Sequence, residues 1–179
     1  ERKLEVTRRL FDIVVNEYGL PAHDLIIDPQ VFPVTTGQAE LRDDGHWTIE
    51  GIRRIKQEFP GVLTSVGVSN VSFGLKQAAR AVLNSVFLYH CVEAGLDMAI
   101  VNPSHITPYA EIDPEQRQLA DDLIFNRSED ALPRYIAYWE GREATADSGQ
   151  EREDPTAGMT VEEIARMAGI DRKTARRYV

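Results

Sequence analysis

The sequence predicts an α/β protein built on a parallel sheet. Three short apolar runs, at residues 25–28, 62–66 and 96–101, are the length of strands and too short for helices. Stretches with helical spacing lie before and between them, and Gly or Pro marks nearly every junction. An αβαβαβ order with helical connections implies parallel pairing through right-handed crossovers.

Taken in order, residues 2–18 place Leu4, Phe11, Val15 and Tyr18 at helical spacing, with Leu10 and Val14 beside them. Gly19 then supplies a C-cap and Pro21 a stop. Leu25-Ile26-Ile27-Asp28 reads as a buried strand that ends in a carboxylate before Pro29. A loop over residues 30–44 leads to a helix at 47–59 with Ile49, Ile52 and Ile55 as its apolar stripe. Pro60-Gly61 ends that helix, and the second strand runs over 62–66. Small residues come next, with Asn70 in their midst, and then a long helix over 77–94, apolar on most faces. Gly95 ends it, and the third strand closes on Asn102-Pro103. Two further helices are expected at 114–125 and 131–139, the first with Asp113-Pro114 as N-cap and first turn.

This gives a domain over residues 1–140. Residues 141–159 read as an acidic flexible linker, since five acids stand against two bases between 141 and 155. Residues 160–179 form a helical tail that is basic at its end. The chain opens at Glu1 inside a helical pattern and without an initiator Met, which leads us to expect a fragment of a longer protein.

Composition narrows the function classes. With 42% apolar and 27% charged residues the chain has the make-up of a globular protein. A net charge of −9 argues against non-specific binding to nucleic acid or an anionic membrane. A single cysteine, Cys91, excludes a disulfide scaffold and fits a reducing cytoplasm. No run is long and apolar enough to span a membrane.

Each expected strand ends on a polar group: Asp28 on the first, the Ser69-Asn70 loop on the second, Asn102 on the third. In α/β folds ligands sit at that edge. One carboxylate and two amides suit a neutral heterocycle carrying N–H donors and carbonyl acceptors. A polyphosphate would want a P-loop or GxGxxG, and the sequence has neither; HExxH, CxxC and GxSxG are also missing. Asp28 before a proline suits a turn equally well, and Asn102-Pro103 suits a turn better than a ligand. Asn70 stands out, because the Ser-Asn-Val-Ser stretch is not expected to be needed for packing. His90, Cys91, Met98 and the aromatic residues read as core, and His23, His46 and His105 lack metal-ligand spacing.

Ile27-Asp28-Pro29 with Val34-Thr35-Thr36-Gly37, the run Gly67 to Leu75, Asn84-Ser85-Val86-Phe87-Leu88 and the run Ala94 to Asn102, in this order and spacing, resemble the folate (pterin)-binding domain of cobalamin-dependent methionine synthase. The resemblance covers residues 1–140. It implies a partial (βα)8 TIM barrel of the dihydropteroate synthase-like type, comprising the last three strands and their helices. Dihydropteroate synthesis itself would call for a basic pyrophosphate loop, which the sequence lacks.

The resemblance further implies 5-methyltetrahydrofolate as substrate, cobalamin on a separate domain as methyl acceptor, and zinc on a homocysteine domain. By it Asp28 pairs with the pterin N–H groups and Asn70 hydrogen-bonds N5, the nitrogen that carries the methyl. That methyl leaves only once N5 is protonated. An amide serves both states, donating to neutral N5 or accepting from the protonated form. An apolar residue there would cost roughly a hundredfold or more in rate. Gly67 would let the backbone approach the ring, Arg80 would meet the benzoyl-glutamate carboxylates, and Asn102 is a further pterin contact. Because three strands leave barrel edges exposed, the 179-residue chain is expected to hold folate weakly by itself.

Residues 162–179 also resemble a transposase-type helix-turn-helix, with Ala165 and Gly169 at the first helix and turn and Arg172 onward as the reading helix. The alternative reading is therefore a truncated or fused, non-catalytic product with a DNA-binding tail.

Overall fold

The computed structural model describes residues 1–146; the tail at 160–179 and the linker from residue 147 lie outside the described residues. Helix α1 (Arg2–Phe11) runs on through a π-helical stretch, Asp12–Glu17. Strand β1 (Ile26–Ile27) precedes α2 (Asp44–Glu58), β2 (Leu63–Gly67), α3 (Gln77–Glu93) and β3 (Met98–Ile100). Helices α4 (Pro114–Ile124) and α5 (Ala131–Ala146) complete the order. Residues Glu1–Ala144 form one compact unit.

The sheet is parallel, in the order β1-β2-β3, with Ile26 opposite Leu63, Ile27 opposite Thr64 and Ser65 opposite Met98. Alternation along β2 sends Thr64 and Val66 to one face. On that face Val66 shares a buried cluster with Ile49 and Ile52 of α2 and Leu83, Val86 and Phe87 of α3. Both crossover helices thus cover the same side of a sheet whose strands lie in chain order. That is winding of the barrel kind; a doubly wound sheet carries helices on both faces. The fold is a partial α/β barrel, as the sequence predicts.

The register puts Ile26, Leu63, Ser65, Gly67, Met98 and Ile100 on the opposite face. This face carries no helix among the described residues, and Ile26 is 51%, Met98 38% and Ile100 70% exposed. Two expectations are corrected here: β1 is buried only at Ile27, and Met98 is not a core residue. The periodicity marked both as apolar but held no information on which sheet face the helices would cover.

Other departures have local causes. The widened turns of the π stretch rotate the residues after it, so Tyr18, expected on the apolar stripe, is exposed. Trp47 lies on the solvent side of α2, which begins three residues earlier than expected. Gly45 in its first turn explains part of this: an added Cβ would lie 3.1 Å from the Ile124 carbonyl oxygen of α4. Helix α5 continues through Gly141, where a linker was expected, as far as Ala146. Arg142 lies 4.5 Å from the Tyr138 ring centroid, one turn earlier on that helix.

Polar ties hold the layers together. The Asp97 carboxylate, just before β3, accepts from Lys56 of α2 at 2.9 Å and from the Thr64 N–H of β2 at 2.7 Å. The Thr64 hydroxyl is also 3.0 Å from it. His90 Nε2 on α3 is 2.6 Å from Asp121 Oδ1 on α4, and Tyr109 donates its O–H to Asp121 Oδ2 at 2.9 Å. Tyr135 of α5, fully buried, donates to the Ala79 carbonyl of α3 at 2.8 Å. Cys91 is fully buried, and burial pushes its thiol well above the ordinary range, so it packs as the sequence suggests.

Burial alone would raise the Asp97 pKa, but the hydrogen bonds from Lys56 and Thr64 outweigh it and hold it below the ordinary 3.8. A carboxylate with a depressed folded-state pKa stabilises the fold above its unfolded value, and that contribution is lost as pH falls through the folded pKa. Asp97→Asn is therefore expected to destabilise by about 1–3 kcal/mol near neutrality. The gap between the two proteins closes as pH drops below 3.8. Urea melts of both proteins across that range provide the check.

Candidate functional site

Asp28 and Asn70 come together at the carboxyl ends of β1 and β2. They line one cavity of about 480 Å³ with Gln30, Val31, Phe32, Pro33 and Phe73. A smaller cavity, about 130 Å³, lies between the loop at Val34–Arg42 and the α4–α5 turn and shares no lining residue with it. The larger one sits where the strand-end argument expects a ligand.

Asp28 comes directly after β1, because Pro29 has no N–H to continue the ladder. Its Oδ1 accepts from the Gln30 N–H at 2.8 Å, an Asx turn that leaves Oδ2 available to a ligand. Gln30 has φ 52°, in the left-handed region that few non-glycine residues adopt. Two groups hold it there. Lys3 of α1 donates to the Gln30 carbonyl at 2.9 Å, and the Thr48 hydroxyl of α2 lies 3.1 Å from the same oxygen. Burial lowers the Lys3 pKa, with the Asp44 carboxylate opposing the shift.

Asn70 sits in a 3-10 turn, Val68–Ser72, that grows out of β2. The turn is more than a polar loop. Val68, Val71 and Ser72 are fully buried, so the expectation that this stretch is not needed for packing is corrected. With Val68 on one side and Val71 and Ser72 on the other turned inward, Asn70 itself is exposed and lines the cavity. No hydrogen bond is made by the Asn70 side chain among the described residues.

Gly67 has a reason in the structure beside the one expected. Its backbone is ordinary, φ −78° and ψ 88°. What its missing side chain provides is room for Asn70: an added Cβ would lie 3.1 Å from Asn70 Nδ2. Gly67 thus accommodates the amide that faces the cavity.

The other two expected residues are not in the cavity wall. Arg80, half-buried on α3, donates Nε to Ser72 Oγ at 3.2 Å and Nη2 to the Ser69 carbonyl at 3.1 Å. These bonds tie its Nε and Nη2 to the turn that carries Asn70. Asn102 accepts from the Ser104 N–H at 3.1 Å and its hydroxyl at 2.8 Å, capping a short turn after β3. That is the turn role the Asn-Pro pair suggested.

Two wall residues were missed by sequence reasoning. Phe32 is 49% and Phe73 67% exposed, and both line the cavity. Their signal was an aromatic four residues after Asp28 and three after Asn70, which reads equally well as core. Flat apolar rings beside a carboxylate and an amide suit a conjugated heterocycle better than a phosphate or a metal. Among the described residues no group of three His, Cys, Asp or Glu side chains is arranged to hold a metal.

Comparisons agree with this chemistry. A family model described as a pterin binding enzyme matches residues 1–102. The chain is 44% identical over 162 residues to a methionine synthase of Mycobacterium tuberculosis (strain ATCC 25618 / H37Rv), covering 89% of the chain and 14% of that protein. To a methionine synthase of Mycobacterium leprae (strain TN) it is 40% identical over 177 residues, covering 98% of the chain and 14% of that protein. The chain thus spans about one-seventh of the length of these relatives.

An alanine at position 67 is expected to leave the fold within about 1 kcal/mol, since an ordinary φ tolerates it. It should nevertheless displace the Asn70 amide. A shift of the Asn70 side-chain signals in a nitrogen–proton correlation spectrum of Gly67→Ala, with the melting temperature held, is the measurement.

Proposed function

The chain belongs to the family of pterin binding enzymes, and we propose that its cavity is one wall of a site for 5-methyltetrahydrofolate. In this reading the bound folate gives up its methyl to cobalamin in methionine synthesis. The observation that carries it is the meeting of Asp28 and Asn70 in one cavity, within the region that the family model matches.

Each residue has a part set by its chemistry. Asp28, with one oxygen held by the Gln30 N–H, presents the other to the pterin N–H donors. Asn70 bonds N5: its amide donates to the neutral nitrogen and turns to accept once N5 is protonated. Its side chain is free to turn, having no partner to release among the described residues. Phe32 and Phe73 give apolar surface to the ring system and keep water off one side of it. Cobalamin supplies the nucleophile when it is presented by another domain. No residue of this chain is assigned to cobalamin or to zinc.

The uncovered face with Ile26, Met98 and Ile100 is, on the same reading, the inner face of a barrel that other strands complete. Binding by this chain alone is then weak. The acidic linker and the tail remain part of the same proposal. The similarity to the M. leprae protein spans 98% of the chain and so takes in most of residues 160–179. That favours a native continuation over an added DNA-binding element.

The test is a titration of the labelled chain with 5-methyltetrahydrofolate in the millimolar range, read by nitrogen–proton spectra. Shifts gathered at residues 28–33 and 69–73, and lost in Asn70→Ala or Asp28→Ala, are expected. Shifts scattered over the surface, or unchanged in both variants, would rule the site out.

A further inference from the structure

We propose that Arg80 is a positioning residue for Asn70, acting through Ser72 and the Ser69 carbonyl; the inference rests on the folate site proposed above and deepens it. The observation is a hydrogen-bonded latch under the turn that carries the cavity-facing amide. Arg80 Nη2 donates to the Ser69 carbonyl at 3.1 Å, and Nε donates to Ser72 Oγ at 3.2 Å. The Ser72 hydroxyl has one proton, which goes to Asn84 Oδ1 at 2.7 Å. Ser69 oxygen also lies 3.3 Å from that hydroxyl, but the proton can serve only one acceptor well, so Arg80 is the main side-chain donor to Ser69, beside the backbone bonding of the 3-10 turn itself.

Three features make this more than a loop contact. A five-residue 3-10 turn has poor internal hydrogen-bond geometry and is not self-supporting. Ser72 is fully buried and Asn84 nearly so, so their polar atoms have no water to fall back on if the latch is broken. Arg80 and Asn84 stand one turn apart on α3, a rigid element packed through Leu83, Val86 and Phe87 into the main core. The helix thus holds the turn at Ser69 and Ser72, one residue before and two residues after Asn70. With Gly67 leaving the amide its space, the backbone of Asn70 is held in place while its side chain keeps the freedom to turn. A ligand nitrogen meeting Asn70 then needs no reordering of the turn, which is where affinity is lost when a contact residue is mobile.

The experiment uses the full chain, with Arg80→Met, Arg80→Lys and Ser72→Ala each made alone and together with Asn70→Ala. Two readouts are taken: the side-chain amide signals of Asn70 without ligand, and the affinity for 5-methyltetrahydrofolate. Arg80→Met is expected to move or broaden the Asn70 signals and to weaken binding roughly tenfold. It should have no further effect once Asn70 is alanine, because the loss passes through the amide. Arg80→Lys, whose single ammonium nitrogen has donors enough but lacks the fork that reaches both acceptors, should recover part of the loss. Should Arg80→Met fail to fold, Ser72→Ala removes one of its acceptors and is expected to move the same signals. Unmoved Asn70 signals in both variants, or an equal loss of affinity in the Asn70→Ala background, would overturn the proposal. A native chain that shows no folate binding would count against the proposed function, while the amide signals would still decide the role of Arg80.

Discussion

The pairing of β1 with β2 is the constraint on which the site depends. Ile26 opposite Leu63 and Ile27 opposite Thr64 fix how far each strand reaches toward the carboxyl edge. Asp28 and the turn bearing Asn70 leave the sheet from those ends, so the register decides whether they face one cavity. A slip of one residue would also turn Ile27 away from the helices and expose it. The register is pinned from the far side as well, since Thr64 is held by the carboxylate of Asp97, on the segment leading into β3.

On each side of the cavity a basic residue of a neighbouring helix works from behind. Lys3 of α1 holds the carbonyl of Gln30 beside Asp28, and Arg80 of α3 holds Ser69 beside Asn70. Neither charge lines the cavity. The wall is therefore lined by one carboxylate residue (Asp28), two amide residues (Gln30 and Asn70) and two aromatic rings, a set that suits a ring with N–H donors better than an anionic group.

Much of this was legible in the sequence, for identifiable reasons. Strand order, the crossover helices and the stripe of Ile49, Ile52 and Ile55 come from period and punctuation, which are local properties. Asp28 and Asn70 were legible because a polar residue directly after an apolar run has few other places to go. The features that escaped all depend on a second element. The bonds from Arg80 to Ser69 and Ser72 escaped because sequence carries its charge but not its partners. Met98 and Ile26 looked like core because hydrophobicity marks both faces of a parallel strand alike. The contact between Gly67 and Asn70 escaped because it depends on where the turn folds the amide three residues on.

That last contact ties two positions into one inherited unit. With 3.1 Å between an added methyl and the amide nitrogen, a side chain at 67 obliges the amide at 70 to give way by a few tenths of an ångström. A lineage that gained a side chain at 67 would have to re-aim that amide or shorten residue 70, and shortening it would surrender the group proposed to meet N5. Changes at the two positions are thus expected to be coupled.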